Sequence, residues 1–424
     1  MSIYLLLLTI LVTGSAALSR SRFIFIVVSA AFFTRLGFAL VGGIADDELV
    51  YEQFAEIFLN DARLNGVWTA LLRQHYWMNN FFVIPAALYT LLWPDLYITR
   101  AFIAAVGSIN VLLSWQLARR LLPEPKAAHA IALAVAFWPD SIEFSTMATR
   151  DAVLASLLLS SLLASHAIRS GSRITGVAGN AVSMAVTFLF RPIQSLALAA
   201  AQSLTFFKAR LYVALVMPPL ILMGGTVACY LHFGVHLHRI LLRQYLGVEW
   251  AEGHGEKPSD AASIVQSPQK PATPDDVSIR MVESMPPVLN GAASFSFNLL
   301  RPSPASVVVK PSWGRLFQSI KGLAWYLLLP LIFVGMPMLL RQDRDLAWPI
   351  LILCTAFVVW AFLPQSIIRD PTRLRFQALP LYLMVGWLGL QAIRESSRAR
   401  KAAYVGYSFL AASTVIYIAV KLSL

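Results

Sequence analysis

The chain has 424 residues, of which 58% are hydrophobic and only 13% charged, and its mean hydropathy is +0.65. An ordinary soluble domain carries about 25% charged residues, so the charge here cannot cover a water-soluble surface of this size. Composition therefore excludes a water-soluble globular enzyme, a disordered chain and a nucleic-acid-binding domain, and leaves a polytopic membrane protein. The net charge of +12 has a first explanation in the enrichment of Lys and Arg in cytoplasmic loops. The two cysteines, Cys229 and Cys354, lie in apolar runs and read as small buried hydrophobes rather than as a disulfide or metal site.

Hydropathy places membrane spans near residues 2–18, 23–44, 98–118, 127–142, 151–168, 174–190, 193–207, 211–233, 322–340, 346–363, 377–393 and 403–422. The expected fold is an all-α polytopic membrane protein of about 12 transmembrane helices. The first stretch lacks a basic n-region and is followed by Arg20 and Arg22, so it reads as an added N-terminal span over 1–22 rather than a cleaved signal. A further apolar run, Phe81–Trp93, is interrupted by Pro85 and is too short to cross, which predicts a shallow or re-entrant helix.

Alternate short loops carry Arg20 and Arg22; Arg119, Arg120 and Lys126; Arg169 and Arg173; Lys208 and Arg210; Arg341 and Arg344; and Arg394, Arg398, Arg400 and Lys401. These loops are expected on the cytoplasmic side, which puts both termini on the outer side. The chain then divides into a membrane core over 23–233 with an outer loop at 45–97, a large outer loop over 234–321, and C-terminal spans over 322–424 with a basic outer loop at 364–376. The Pro-, Ser- and Asp-rich stretch 257–276 has the composition of a flexible segment.

Against that topology some arginines fall on the wrong side. Arg369, Arg373 and Arg375 cluster in one short outer loop, and Arg150, Arg191 and Arg301 sit at outer boundaries. Arg35 lies inside a span, where it is expected to snorkel or to face a polar cavity. Arginines gathered at an outer membrane surface suit an anionic headgroup, above all a phosphate.

The acids point to the same face. Asp46-Asp47-Glu48 directly follows the second span, and Tyr51, Phe54, Ala55, Phe58 and Leu59 then form the apolar face of an amphipathic helix whose other face carries Glu52, Gln53, Glu56 and Asn60. Such a helix lies in the membrane interface and holds Asp47 at headgroup level. The alternative is that the acids only cap this helix. A second acidic group, Asp140 and Glu143, precedes Arg150-Asp151 at the start of the next span, where Asp151 equally suits the helix dipole. His75, with Tyr76 and Trp77, precedes the shallow run and is a candidate headgroup contact. His232, His236 and His238 lack a clear fourth ligand, and no metal site is expected. Glycine-rich phosphate loops, zinc-protease helices and nucleophile elbows are absent from the sequence.

Four segments taken together give a likeness. Asp47-Glu48-x-x-Tyr51 follows an early span; Arg100 opens a span that ends in Ala118-Arg119-Arg120-Leu121; Pro139 leads to Arg150-Asp151; and Arg373-Leu374-Arg375-Phe376-Gln377-Ala378-Leu379-Pro380 lies late in the chain. In order and sidedness these resemble the motifs of the GT-C superfamily of polytopic glycosyltransferases, in the branch of protein O-mannosyltransferases and lipid A aminoarabinose transferases. Leu300-Arg301-Pro302 is similar to an outer-loop element of bacterial members.

The resemblance implies a GT-C-like fold with interfacial helices in the first outer loop. It implies inverting transfer of a sugar from a polyprenyl-phosphate donor to a hydroxyl of a glycan, lipid or protein acceptor. The site would face the periplasm or cell exterior from a bacterial inner membrane. On this likeness the catalytic acids are Asp47, Glu48, Asp46 and Asp151. The substrate-binding residues are Arg373, Arg375, Arg369, Arg301, Arg150, Tyr51 and His75. Neither a nucleotide nor a metal cofactor is expected, and the partners are the donor, the acceptor and membrane lipids, without nucleic acid. The competing expectations are a polymerase or ligase using a polyprenyl-diphosphate glycan, and a transporter or flippase. A transporter predicts an internal repeat with polar breaks at the midplane. The sequence instead concentrates its polar groups at one surface.

Overall fold

The computed structural model describes residues 2–67, 70, 81–212, 214–233, 300, 313–342, 344–359 and 371–423. Every element among them is helical. The N-terminal part runs through α1 (Ser2–Ala17), α2 (Arg22–Val41), α3 (Asp46–Asn65), α4 (Val83–Leu91), α5 (Leu96–Leu121), α6 (Pro125–Phe137) and α7 (Pro139–Phe144). It continues with α8 (Asp151–Arg169), α9 (Arg173–Phe190), α10 (Pro192–Lys208) and α11 (Met217–Phe233). The C-terminal part consists of α12 (Trp313–Gln342), α13 (Arg344–Val359), α14 (Pro371–Glu395) and α15 (Ser397–Ser423).

Among the described residues, six stretches are long and apolar enough to cross a membrane: α2, α5, α8, α9, and the segments Arg315–Arg341 and Arg375–Glu395 of α12 and α14. Shorter apolar helices cover Ile3–Ala17, Pro125–Phe137, Ala214–Val227 and Leu346–Ala356. Large apolar side chains face outward on α1 (Ile3, Leu6, Leu7, Ile10) and on α15 (Val405, Phe409, Val415, Ile416). A soluble bundle points such residues inward; a lipid-facing one does not.

The span expected over 127–142 is two helices. The Trp138 N–H closes α6 on the Ala134 carbonyl, Trp138 turns extended with ψ 132°, and Pro139 opens α7. Proline has no N–H to continue the ladder and disfavours a helical residue before it, so the chain bends there. The short helix expected around Pro85 is α4, whose nine residues span about 14 Å, well under a bilayer core of about 30 Å. It packs on α3 as the interfacial pattern requires. Phe54, Ala55 and Phe58 meet Phe82, Ala86 and Tyr89 in a small apolar cluster separate from the main core.

The main core is assembled by α5, which packs against α2, α6 and α8, and by the contact of α12 with α14. That last contact is set by glycine. A Cβ on Gly335 would lie 1.9 Å from the Val385 carbonyl oxygen, and one on Gly389 would lie 2.0 Å from the Leu331 carbonyl oxygen. The two backbones touch where neither residue carries a side chain, the usual device for close helix approach in a membrane. Between α8, α9 and α10 a buried polar network serves the same purpose. Ser161 Oγ donates to Asn180 Oδ1 at 2.6 Å, and Gln202 Nε2 donates to Ser161 Oγ and to the Asn180 carbonyl, both at 3.0 Å.

Gly335→Val forces α12 and α14 apart and should lower stability by at least about 1–3 kcal/mol, the usual cost of overpacking. Gly37→Val, at an exposed position with nothing within 4 Å of the added Cβ, should leave the thermal unfolding midpoint in detergent nearly unchanged. Equal effects of the two variants would remove the glycine contact as the determinant of this crossing.

Candidate functional site

Of the candidate site residues singled out in the sequence, those among the described residues lie at one end of the bundle, where α2, α7 and α9 end and α3, α5, α8, α10 and α14 begin. Glu48, in the first turn of α3, is fully buried. Its carboxylate meets Arg100 in a two-pronged ion pair, with Nε 2.8 Å from Oε1 and Nη2 2.6 Å from Oε2. The remaining Arg100 donors go to the carbonyls of Ala39, Gly42 and Gly43 at 2.6–3.1 Å. Glu48 further accepts the N–H of Ala45 at 2.7 Å and that of Ala148 at 2.5 Å. A buried carboxylate persists only when its charge and lone pairs are met. Glu48 meets that requirement by tying α2, α3, α5 and the loop before α8 together.

Asp47, one residue earlier, is exposed. Successive residues on a helix point about 100° apart, so the neighbours Asp47 and Glu48 part company, one to the surface and one to the interior. Asp46 opens the same helix. Tyr51 is buried and meets Phe81 edge-on at 4.9 Å; Phe81 in turn meets Phe190 at 6.0 Å.

Three residues past Ala148, Asp151 opens α8 and is fully buried. Its Oδ1 accepts from Gln377 Nε2 of α14 at 2.6 Å, and its Oδ2 from Thr149 Oγ1 at 3.2 Å. Gln377 Oε1 accepts from Gln194 Nε2 of α10 at 2.5 Å. Two residues before Gln377, Arg375 sits 7% exposed with its guanidinium over the Trp325 ring, 4.5 Å from the centroid. Arg373 lies in the first turn of the same helix. Arg150 donates from Nη1 to the Phe190 carbonyl at 3.0 Å. Arg369, Arg301 and His75 lie outside the described residues.

Two further cations converge on α7. Lys321 of α12 is fully buried, with Nζ 3.1 Å from Asp140 Oδ1 and 2.5 Å from Glu143 Oε2, beside the Phe144 ring. Arg35 of α2 does not snorkel. It is fully buried and donates to Ser145 Oγ at 2.7 Å, Ser141 Oγ at 2.9 Å and the carbonyls of Val135 and Ala31 at 3.1 and 3.2 Å. The six residues of α7 are thus gripped on one side from α2 and on the other from α12. Phe144 also packs on Phe376, next to Arg375.

Neither the ion pairing of Arg100 nor the contribution of Lys321 follows from the sequence pattern. Lys321 closes the long loop assigned to 234–321, and its partner Glu143 lies 178 residues away. Its one available signal is a lysine directly before the apolar run expected at 322–340. Among the described residues, no group of three His, Cys, Asp or Glu side chains is arranged to hold a metal ion.

Glu52, on α3 outside the spanning helices, has its carboxyl pushed above the usual range by burial and by the nearby Glu56, against the opposing hydrogen bond from the Tyr89 hydroxyl at 3.4 Å. The same burial, with Glu52 alongside, pushes the Tyr89 phenol up.

Arg100→Met strands the Glu48 carboxylate and should cost about 3–5 kcal/mol, seen as a lower unfolding midpoint; an unchanged midpoint would deny the pair its structural role. For Glu52 the folded carboxyl titrates above its unfolded value of 4.5, so the native state holds the extra proton. Stability is then greatest below the unfolded value and declines as pH rises through the folded one. Glu52→Gln should remove that decline, so its advantage over wild type in unfolding midpoint grows from about pH 4 to about pH 7. Neither a family model nor a curated protein matches this chain, so the functional reading rests on these residues and their chemistry.

Proposed function

We propose that the protein is an integral-membrane glycosyltransferase that moves a sugar from a polyprenyl-phosphate donor to an acceptor hydroxyl, with inversion, at the end of the bundle that carries Asp47 and Arg375. On this reading about twelve helices cross a bacterial inner membrane, the basic turns lie in the cytoplasm and the site faces outward. One observation carries the reading. Two hydrogen bonds and two short stretches of chain join the acidic start of α3 to the arginine-bearing start of α14: Glu48 accepts the Ala148 N–H, Asp151 lies three residues on and accepts from Gln377, and Arg375 lies two residues before Gln377. The reading takes Asp47, the neighbour of Glu48, as the proton acceptor and Arg375 as the anion binder of that shared end.

Each group has a part in the reaction. The acceptor oxygen bonds to the anomeric carbon as the bond from that carbon to the phosphate oxygen breaks. The acceptor's proton passes to the Asp47 carboxylate, which is exposed at the start of α3 and acts as general base. The electron pair of the broken bond leaves with the lipid phosphate, whose charge grows in the transition state. Arg375 opposes that growing charge, with Arg373 on the same helix turn and Arg369 and Arg301 as further candidates. An interaction that strengthens toward the transition state accelerates the step, whereas one equally strong in the ground state does not. Asp151 positions the sugar, the acceptor or an arginine. A phosphate already attached to a lipid needs no nucleotide to leave, and arginines can supply the electrostatics.

The test uses the purified full chain in proteoliposomes with a polyprenyl-phosphate monosaccharide and a hydroxyl acceptor. Asp47→Asn should keep the unfolding midpoint and lose transfer. Arg375→Ala should reduce kcat/KM for the donor by about 10²–10³-fold, the usual cost of removing one positioned charge donor. Wild-type-like transfer by Asp47→Asn removes that carboxylate from the mechanism. Activity only with a diphosphate-linked oligosaccharide assigns the protein to polymer or ligase chemistry instead.

A further inference from the structure

Three buried polar side chains, each from a different helix, form one line. Gln194 of α10 is 4% exposed, and Gln377 of α14 and Asp151 of α8 are fully buried. Gln194 donates to Gln377, and Gln377 donates to Asp151. An amide has a donor end and an acceptor end, whereas an ionised carboxylate only accepts. Asp151 as an anion therefore requires the NH₂ of Gln377. That turns the Gln377 carbonyl toward Gln194, which must in turn present its own NH₂. The direction of the whole line follows from the charge at one end. Thr149 Oγ1 supplies a second donor to the same carboxylate.

We infer that Gln377, oriented by Gln194, is a positioning residue that holds Asp151 as a hydrogen-bond acceptor and fixes the first turns of α14, with their arginines, against the start of α8. Each substitution of a carboxylate for an amide in this line adds one acceptor too many. A buried acceptor facing an acceptor is costly, so a proton must enter to restore a donor. In Gln194→Glu, either the new carboxyl is protonated and the line keeps its direction, or Gln377 turns over and Asp151 is protonated. One proton is taken up in both cases. It is no longer needed when Asp151→Asn is added, because the new amide at 151 can donate to a turned Gln377 and leave the carboxylate at 194 an anion. Residue 194 and residue 151 are thus linked through an amide that neither would otherwise influence.

Of the helices packed against α8, α5 carries Arg100 and α14 carries Arg375; Arg150 adjoins Asp151 and Arg191 lies between α9 and α10. Beyond them stand Glu48 on α3, paired with Arg100, and Lys321 with Asp140 and Glu143 across α12 and α7. None of these changes in the variants, so comparison with and without Asp151 isolates the line.

The decisive measurement is the infrared band of protonated carboxyl groups at neutral pH, taken on the full chain in lipid nanodiscs. Asp151→Asn should remove no such band from the wild type. Gln194→Glu should gain one protonated carboxyl, and the double variant that adds Asp151→Asn should lack it. Gln377→Glu should gain one that is likewise lost with Asp151→Asn, which keeps the test available if Gln194→Glu does not fold. Loss of a band on replacing Asp151 in the wild type, absence of the added proton, or its persistence without Asp151 would each overturn the inference.

The bearing of the line on catalysis rests on the transfer reading. If that holds, Gln377→Met should raise KM for the donor lipid more than it lowers kcat, by displacing the arginine turn. Absence of transfer in the wild type would sink that reading while the infrared result still decides the line.

Discussion

The ion pair of Glu48 with Arg100 is the contact on which the rest of this end of the molecule depends. Taking either group alone out of water carries a heavy cost, and the pair is tolerated because every donor of the guanidinium and both carboxylate oxygens are engaged. Its effect is chiefly architectural. It closes the α2 end onto the α3 start, seats both on α5, and through Ala148 sets the loop that delivers Asp151. Asp47 owes its exposed position to this arrangement: Glu48 points inward, and its preceding neighbour on the helix is turned away.

The same rule governs the other buried charges. Lys321 meets two carboxylates, Arg35 meets hydroxyls and carbonyls, Asp151 meets an amide and a hydroxyl, and Arg375 lies on an indole ring. Each is a different solution to one constraint, that a charge in a low-dielectric interior needs partners already in place. On the proposed transferase reading, a bundle furnished in this way would meet its substrates with its dipoles fixed, which is the condition for electrostatic stabilisation of a transition state.

Parts of this are legible from the amino acids alone. The amphipathic period of Tyr51, Phe54, Ala55, Phe58 and Leu59 predicts the buried face of α3; the first four are buried and Leu59 is partly buried. The short helix near Pro85 follows from its length. What local pattern cannot separate is the role of neighbours. Asp47 and Glu48 read as equivalent acids, and only the helix rotation and a partner 52 residues away divide them. Lys321 belongs to the same category, because the acids that hold it lie in a distant part of the chain. The expected span over 127–142 joins two helices because hydropathy is blind to the missing N–H of Pro139. Hydropathy predicts about twelve spans, and six helices meet the length and apolarity of a membrane span among the described residues.

The brevity of α7 has an evolutionary corollary. Its Asp140 and Glu143 serve one neighbour and its Ser141 and Ser145 region another, so six residues must keep a fixed phase toward both. Inserting or deleting a single residue there would rotate everything beyond it by about 100° and uncouple both grips together. Point changes in this segment can be compensated one at a time, but its length is held rigid in a way that its composition is not.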